Sequence, residues 1–297
     1  MKDKSLVKYL IWAFALAWPV QVLASYFALQ GNTQLFRILM LLCMAVPTLA
    51  TLLAGIPLYD LGWRPFLRWN WKSFLAAWLV PALLTILGAA LYFLVFPARL
   101  DLSGGYVRDQ ILAAGGEEVL SQLEAQGFSL LLPIALLSGV QVLFYSFVNA
   151  IPALGEEIGW RGAMLPRLKE RFGRRKGWLL GGLIWGVWHW PVIIAAGYEY
   201  GLVYWGAPVL GPLVFCLFTT ALGTLLDALY EKTGSIWAPA LGHGAINAAA
   251  TFPLLFLNPD YTDQMILGPA MVGIIGGIPL FLLAAAVLAK AGKTEGA

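Results

Sequence analysis

Apolar runs of about 20 residues, long enough to cross roughly 30 Å of hydrocarbon as helices, recur along the whole chain. They lie near residues 6–29, 34–58, 73–97, 129–157, 178–197, 207–230, 235–257 and 264–290. Inside a bilayer the backbone must satisfy its own hydrogen bonds, which leaves helices or a closed barrel, and runs of this length fit helices. The expected fold is an all-α integral membrane protein of about eight transmembrane helices. Composition agrees: 60% of the 297 residues are hydrophobic and 12% are charged, and mean hydropathy is +0.77. The first run follows Lys2, Lys4 and Lys8 and contains "VLAS". It continues through Trp12, Trp18, Tyr26 and Phe27, longer and more aromatic than a cleaved leader's apolar segment, so it is taken as a span.

Positive residues collect in cytoplasmic loops, and their distribution orients the spans. With the N-terminus inside, Arg64, Arg68, Lys72, the run Arg167 to Gly177, Lys232, Lys290 and Lys293 fall on the cytoplasmic side. Of the 19 basic residues, Arg37, Arg99 and Arg108 fall outside. The outer segment between spans three and four carries Asp101, Asp109, Glu117, Glu118 and Glu124. Both termini are therefore expected in the cytoplasm. The net charge of +3 is a topology signal, and no basic stretch is interleaved with aromatics as single-stranded nucleic-acid binding would need, so no nucleic acid partner is expected. The run at Arg167 to Lys176 is a positive-inside anchor, with contact to anionic lipid as the sharper alternative.

Cys43 and Cys216 sit in apolar spans without Cys-x-x-Cys spacing and behave as small buried hydrophobes. No internal repeat stands out, as the paired halves of a transporter would. Residues 1–297 are expected to form one polytopic domain, with 98–128 its one long extramembrane insertion.

Ionisable groups in a span are costly and generally face the protein interior with a task. The chain's 2 histidines both occur in apolar spans, His189 in "LIWGVWHWP" and His243 in "SIWAPALGHGAIN". A third polar motif, "GEEIGWRG", ends the fourth run. Glu157 and Arg161 are i,i+4 neighbours and can pair, while Glu156 points about 100° away. His243 and Asn247 are also i,i+4 and share a face. At about 1.5 Å per residue, Glu156 lies roughly 8 Å from Arg161, His243 roughly 12 Å from Ser235 and His189 roughly 18 Å from Gly177. The three motifs thus reach similar depth, which a common buried site requires.

Amide hydrolysis needs an activated water, donors for the developing oxyanion and a proton for the leaving amine. Glu156 fits the base, His189 can hold or polarise the water, and His243 with Asn247 can face the oxyanion. A zinc site from Glu156, His189 and His243 is the chemical alternative. No Gly-x-Ser-x-Gly or His-Glu-x-x-His motif occurs, and Asp227 is the one aspartate within a span, too few for an aspartate pair. Asp227, near Glu231 and Lys232, is expected to be an interfacial charge. Asn247 alone could serve as interhelical glue.

"EEIGWR" (Glu156 to Arg161), "WGVWH" (Trp185 to His189) and "HGAIN" (His243 to Asn247), in this order on separate helices, resemble the CAAX protease and bacteriocin-processing (CPBP, or ABI) family of intramembrane proteases. Its pattern is Glu-Glu-x-x-x-Arg, Phe-x-x-x-His and His-x-x-x-Asn/Asp. The resemblance covers roughly residues 130–250, and Trp185 stands where the family has Phe. It implies an eight-helix membrane fold with Glu156 as base, His189 assisting, His243 and Asn247 stabilising the oxyanion, and Glu157 and Arg161 in support, with no cofactor in the favoured glutamate mechanism and zinc as the alternative. Members that process prenylated proteins remove the last three residues after a lipid-modified cysteine. The implied partners are membrane lipid and a membrane-associated or lipidated peptide or protein. Bacteriocin self-immunity and a non-catalytic scaffold are the other roles. The expected location is a bacterial or archaeal cell membrane.

Overall fold

The computed structural model of the protein describes residues 4–125 and 130–295. Lys2, the end of the outer insertion (126–128) and the first residue of the fourth run lie outside the described residues, as do the side chains of Glu124 and Lys293. The chain folds into helices α1 (Lys4–Leu29), α2 (Thr33–Cys43), α3 (Val46–Leu53), α4 (Leu67–Val95), α5 (Gly105–Ala113), α6 (Glu117–Ala125), α7 (Leu131–Glu157), α8 (Leu165–Phe172), α9 (Arg174–Trp188), α10 (Trp190–Ala196), α11 (Leu210–Thr233), α12 (Trp237–Ala249) and α13 (Ile278–Glu295). Among the described residues there is no strand, and one isolated bridge joins Leu100 to Leu257.

Among the described residues, six helical segments are long and apolar enough to cross a membrane: Lys4–Leu29, Thr33–Leu53, Leu67–Val95, Leu131–Phe172, Arg174–Ala196 and Leu210–Thr233. The seventh and eighth expected spans take shorter forms. The run 235–257 contains the 13-residue α12 followed by a 3-10 turn at Phe252–Phe256, and the run 264–290 has a 3-10 turn at Met265–Leu267 and becomes α-helical only from Ile278. Irregular backbone is tolerated at such places when protein covers it, and Leu257, Ile266, Ala270 and Met271 are buried.

Hydrogen bonds between loops define the two ends of the bundle. At one end Ile236 N–H donates to Leu61 O at 3.2 Å, Asn70 Nδ2 to Thr233 O at 3.0 Å, Trp237 Nε1 to Trp63 O at 2.9 Å, and Arg167 Nε to Ser5 Oγ at 2.8 Å. These contacts gather the basic loops of the charge pattern on one side. At the other end Asp101 N–H donates to Phe256 O and Asn258 N–H to Arg99 O, both at 2.9 Å.

Close backbone approach uses small residues, as membrane helix pairs generally do. A Cβ on Gly244 of α12 would sit 2.5 Å from Ala150 N and 2.6 Å from Ser146 O of α7. One on Gly182 of α9 would sit 2.3 Å from Thr220 Cα of α11. These two contacts bring α7 with α12, and α9 with α11, near enough to share one interior. Cys43 and Cys216 are buried and free, as expected.

Candidate active site

The fourth run does not stop at the glutamate pair. Helix α7 passes through a π-helical segment, Ile158–Met164, into α8, and such wide turns are frequent at functional sites. Glu156 therefore lies about 24 Å from Phe172 along the helix, deeper than a helix end at Arg161 would place it. The π segment presses against α3: a Cβ on Gly159 would meet Pro47 Cβ at 2.3 Å and the Tyr9 hydroxyl at 2.6 Å.

The expected Glu157–Arg161 pair is present, with Arg161 Nη1 donating to Glu157 Oε1 at 3.0 Å and both side chains at most 1% exposed. Arg161 Nη2 also donates to Gly223 O at 3.3 Å. A second partner of Glu157 comes from α12: His243 Nδ1 lies 2.8 Å from the same Oε1. Because the acceptor is a carboxylate, Nδ1 carries the proton, which leaves Nε2 as the ring's other functional atom. Glu157 thus supports both Arg161 and one of the histidines.

Glu156 turns the other way and is 3% exposed. Its Oε2 accepts two indole N–H groups, from Trp160 at 3.0 Å and Trp185 at 2.9 Å. Its Oε1 makes no hydrogen bond with another described residue. Trp185 also touches the rest of the cluster: its ring centroid is 5.2 Å from that of His243 and 6.4 Å from that of His189, and Arg161 Cζ lies 4.8 Å over its face. The Phe-to-Trp departure therefore supplies a donor to Glu156 that phenylalanine lacks.

His189 sits at the junction of α9 and α10, with Pro191 in the first turn of α10. His189 Nδ1 lies 3.0 Å from Trp185 O, and since a carbonyl only accepts, Nδ1–H donates and Nε2 holds the lone pair. Phe215 and Trp188 pack on its ring at centroid distances of 4.9 and 4.7 Å.

Glu156, His189, His243 and Asn247 all line one cavity of about 310 Å³. It extends to Phe36 and Arg37 of α2 and to Tyr198 and Glu199 in the loop after α10, at the end of the bundle opposite the basic loops. Glu199 escaped the sequence analysis; it has φ +70°, a left-handed conformation costly for a side-chain-bearing residue. Burial pushes its carboxyl above the usual range, while a hydrogen bond with Tyr198 pulls the other way. Among the described residues no three His, Cys, Asp or Glu side chains are grouped closely enough to hold a metal ion, so Glu156, His189 and His243 do not form a ready zinc cluster in this arrangement.

Asp227 is not an interfacial charge. It is fully buried, with Oδ2 2.5 Å from both Lys169 Nζ and Trp178 Nε1. Lys169 also pairs with Glu231 at 2.9 Å and Arg174 with Glu231 at 2.6 Å. These contacts tie α8, α9 and α11 together beneath the basic loops, away from the cavity.

Residues 128–249 match the family model described as Type II CAAX prenyl endopeptidase Rce1-like. This segment is similar to the Rce1-like family. All three motifs fall inside it. A 55-residue stretch is 36% identical to CAAX prenyl protease 2 of Methanococcus maripaludis, covering 18% of this chain and 20% of that protein. The chain thus spans about a fifth of the length of the curated relative it matches.

Proposed function

We propose that the chain is an intramembrane endopeptidase that hydrolyses a peptide bond of a membrane-associated or lipidated, CAAX-like substrate through a water activated by Glu156. The observation that carries this reading is the division of labour on Glu156. One oxygen is fixed by two indoles, and the other is unengaged in a cavity shared with His189, His243 and Asn247.

In the proposed reaction a water lies between Glu156 Oε1 and His189 Nε2. Glu156 takes one proton from it as its oxygen attacks the scissile carbonyl carbon. The C=O bond becomes a C–O⁻ bond in the tetrahedral intermediate. His243 and Asn247 face that oxygen. With His243 Nδ1 committed to Glu157, the ring can donate from Nε2 only when doubly protonated, and Glu157 balances that charge. The Asn247 amide donates without any such requirement. When the C–N bond breaks, Glu156 returns its proton to the leaving nitrogen, giving a free amine and a carboxylic acid that then ionises. No step requires a metal or other cofactor. The Rce1-like match supports the CAAX-like substrate class, and the apolar helices support membrane lipid as the surrounding partner.

The test is cleavage of a farnesylated CAAX peptide by purified protein, wild type beside Glu156→Gln, with and without exhaustive chelation. Cleavage by wild type that survives chelation and vanishes in the variant is the expected result. Loss on chelation restored by stoichiometric zinc would replace the glutamate mechanism with a metal one, because the ion would then be lowering the water's pKa. Equal turnover by wild type and variant would leave a non-catalytic role.

A further inference from the structure

Helix α7 carries a polar line that leads to Glu156. At about 100° per residue, Ser138, Tyr145, Asn149 and Glu156 fall within roughly 20° of one line along the helix, with Gln141 beside them at roughly 60°. The other faces show exposed Leu132, Leu136, Val140 and Phe144, as a lipid-facing helix should. Ser138, Gln141, Tyr145 and Asn149 line a cavity of about 220 Å³ with Asn247 and Thr251. Asn247 lines the catalytic cavity as well, so the two cavities share a wall at that residue. None of these polar side chains on α7, nor Asn247, makes a hydrogen bond with another described residue.

Unpartnered polar groups at bilayer depth are costly, and on an otherwise leucine-, valine- and phenylalanine-rich helix they need something to satisfy. A scissile bond presents the matching chemistry. It can be attacked only in extended backbone, whose N–H and C=O groups have lost their helical partners and find no water in the hydrocarbon. Carboxamides both donate and accept, as Gln141 and Asn149 would have to.

We infer that the Ser138–Asn149 line is the docking groove for the extended main chain of the substrate, and that it delivers the scissile bond to Glu156. The inference rests on the endopeptidase reading. From Ser138 to Glu156 the helix rises about 27 Å, the reach of about eight extended residues. A CAAX-like substrate has too few residues after its cut to fill that length, so the groove holds the segment before it.

The test places a photoreactive p-benzoylphenylalanine at Tyr145 in the Glu156→Gln protein. The probes are fluorescent farnesylated CAAX peptides, one with a segment before the cysteine long enough for the groove and one trimmed to the cysteine. The long peptide should cross-link at position 145 and be displaced by unlabelled peptide, whereas the trimmed peptide should not cross-link there. The same photoreactive residue at Val140, on the lipid face, should capture neither. In catalytically intact protein, Asn149→Leu should raise KM for the long peptide about tenfold, the effect of one lost hydrogen bond, with kcat unchanged and the trimmed peptide cleaved as by wild type. Binding and cleavage of the long peptide without the Tyr145 cross-link would overturn the groove alone. A cross-link at Tyr145 to a second copy of the chain, with peptide kinetics unaffected by Asn149→Leu, would make the line a subunit contact and overturn it too. Neither binding nor cleavage of either peptide would bring down the endopeptidase reading and the groove with it.

Discussion

Two buried acids, Asp227 and Glu156, each have one carboxylate oxygen held by two donors, and they differ in which donors hold it and in what the other oxygen faces. Asp227 Oδ1 is buried without a partner among the described residues, whereas Glu156 lines the cavity. Around Asp227, Lys169, Arg174, Trp178 and Glu231 answer charge with charge and link three helices. Around Glu156, one carboxylate oxygen is held by Trp160 and Trp185 while the other is left to the cavity. The neighbouring acid, Glu157, pairs with Arg161 and accepts from His243 Nδ1 on the same oxygen. An indole supplies a hydrogen bond without neutralising the carboxylate. An ammonium supplies both. The base proposed at Glu156 must keep its negative charge available, whereas a tie between helices gains from having it neutralised, and the ammonium of Lys169 on Asp227 suits the second.

The largest expected effect breaks the comparison directly. Glu156→Gln should lower turnover by about 10²–10⁴-fold, the usual contribution of a general base, with thermal unfolding close to wild type. Asp227→Asn should do the reverse, costing about 1–3 kcal/mol of stability with kcat per folded molecule unchanged. Kinetics and melting on the same purified samples decide it, and a turnover defect in Asp227→Asn would dissolve the distinction.

Glu157→Gln sharpens the contrast within the site. It leaves Arg161 and the His243 ring without their shared carboxylate, and breaking a buried pair costs about 3–5 kcal/mol. Calorimetry should show that loss together with a fall in kcat; a variant that melts like wild type would show that Arg161 finds another counter-charge.

Trp185→Phe restores the aromatic residue of the family pattern and removes one N–H donor to Glu156. Hydrogen bonds to charged groups contribute about 1.5–3 kcal/mol, so kcat/KM should fall by roughly 10–100-fold. Trp185→Phe with unchanged kcat/KM would show that the Trp160 indole alone suffices.

The smallest effect concerns Glu199, at the far end of the cavity. Its folded-state pKa is raised, chiefly by burial, so the folded state holds the proton more tightly than the unfolded chain. The stability this contributes is present below the ordinary glutamate pKa of about 4.3 and is lost as pH rises through the higher folded value. Melting temperatures of Glu199→Gln and wild type, taken from acidic to mildly basic pH, should therefore diverge in favour of the variant as pH rises. Parallel curves would place the carboxylate in contact with water.

Much of the site was legible because helix periodicity is local. Glu157 met Arg161 through i,i+4 spacing, and His243 and Asn247 reached one cavity as neighbours on one face. The line from Ser138 to Glu156 was equally available in the spacing, but uncharged polar residues in a span attract less notice than histidines and glutamates. Other contacts carried no such signal. His243 meets Glu157 across 86 positions and Trp185 meets Glu156 across 29. Trp185 stood out only as a departure from a pattern, and thirteen tryptophans in the chain made interfacial packing the ordinary expectation for each. Asp227 looked interfacial because it lies near a helix end; its burial depends on α8 and α9 lying over it.

By itself the sequence determined that the chain is helical and membrane-embedded, because long apolar runs in lipid must close their own backbone hydrogen bonds. It also determined which residues could share a helix face, because 3.6 residues per turn is a property of the backbone. Only the tertiary structure decided which oxygen of Glu156 is fixed, which histidine Glu157 holds and where the helices shorten before spanning. Those outcomes depend on distances between segments far apart in the chain, set by how closely the helices pack at glycines such as Gly182 and Gly244, and no local spacing encodes them.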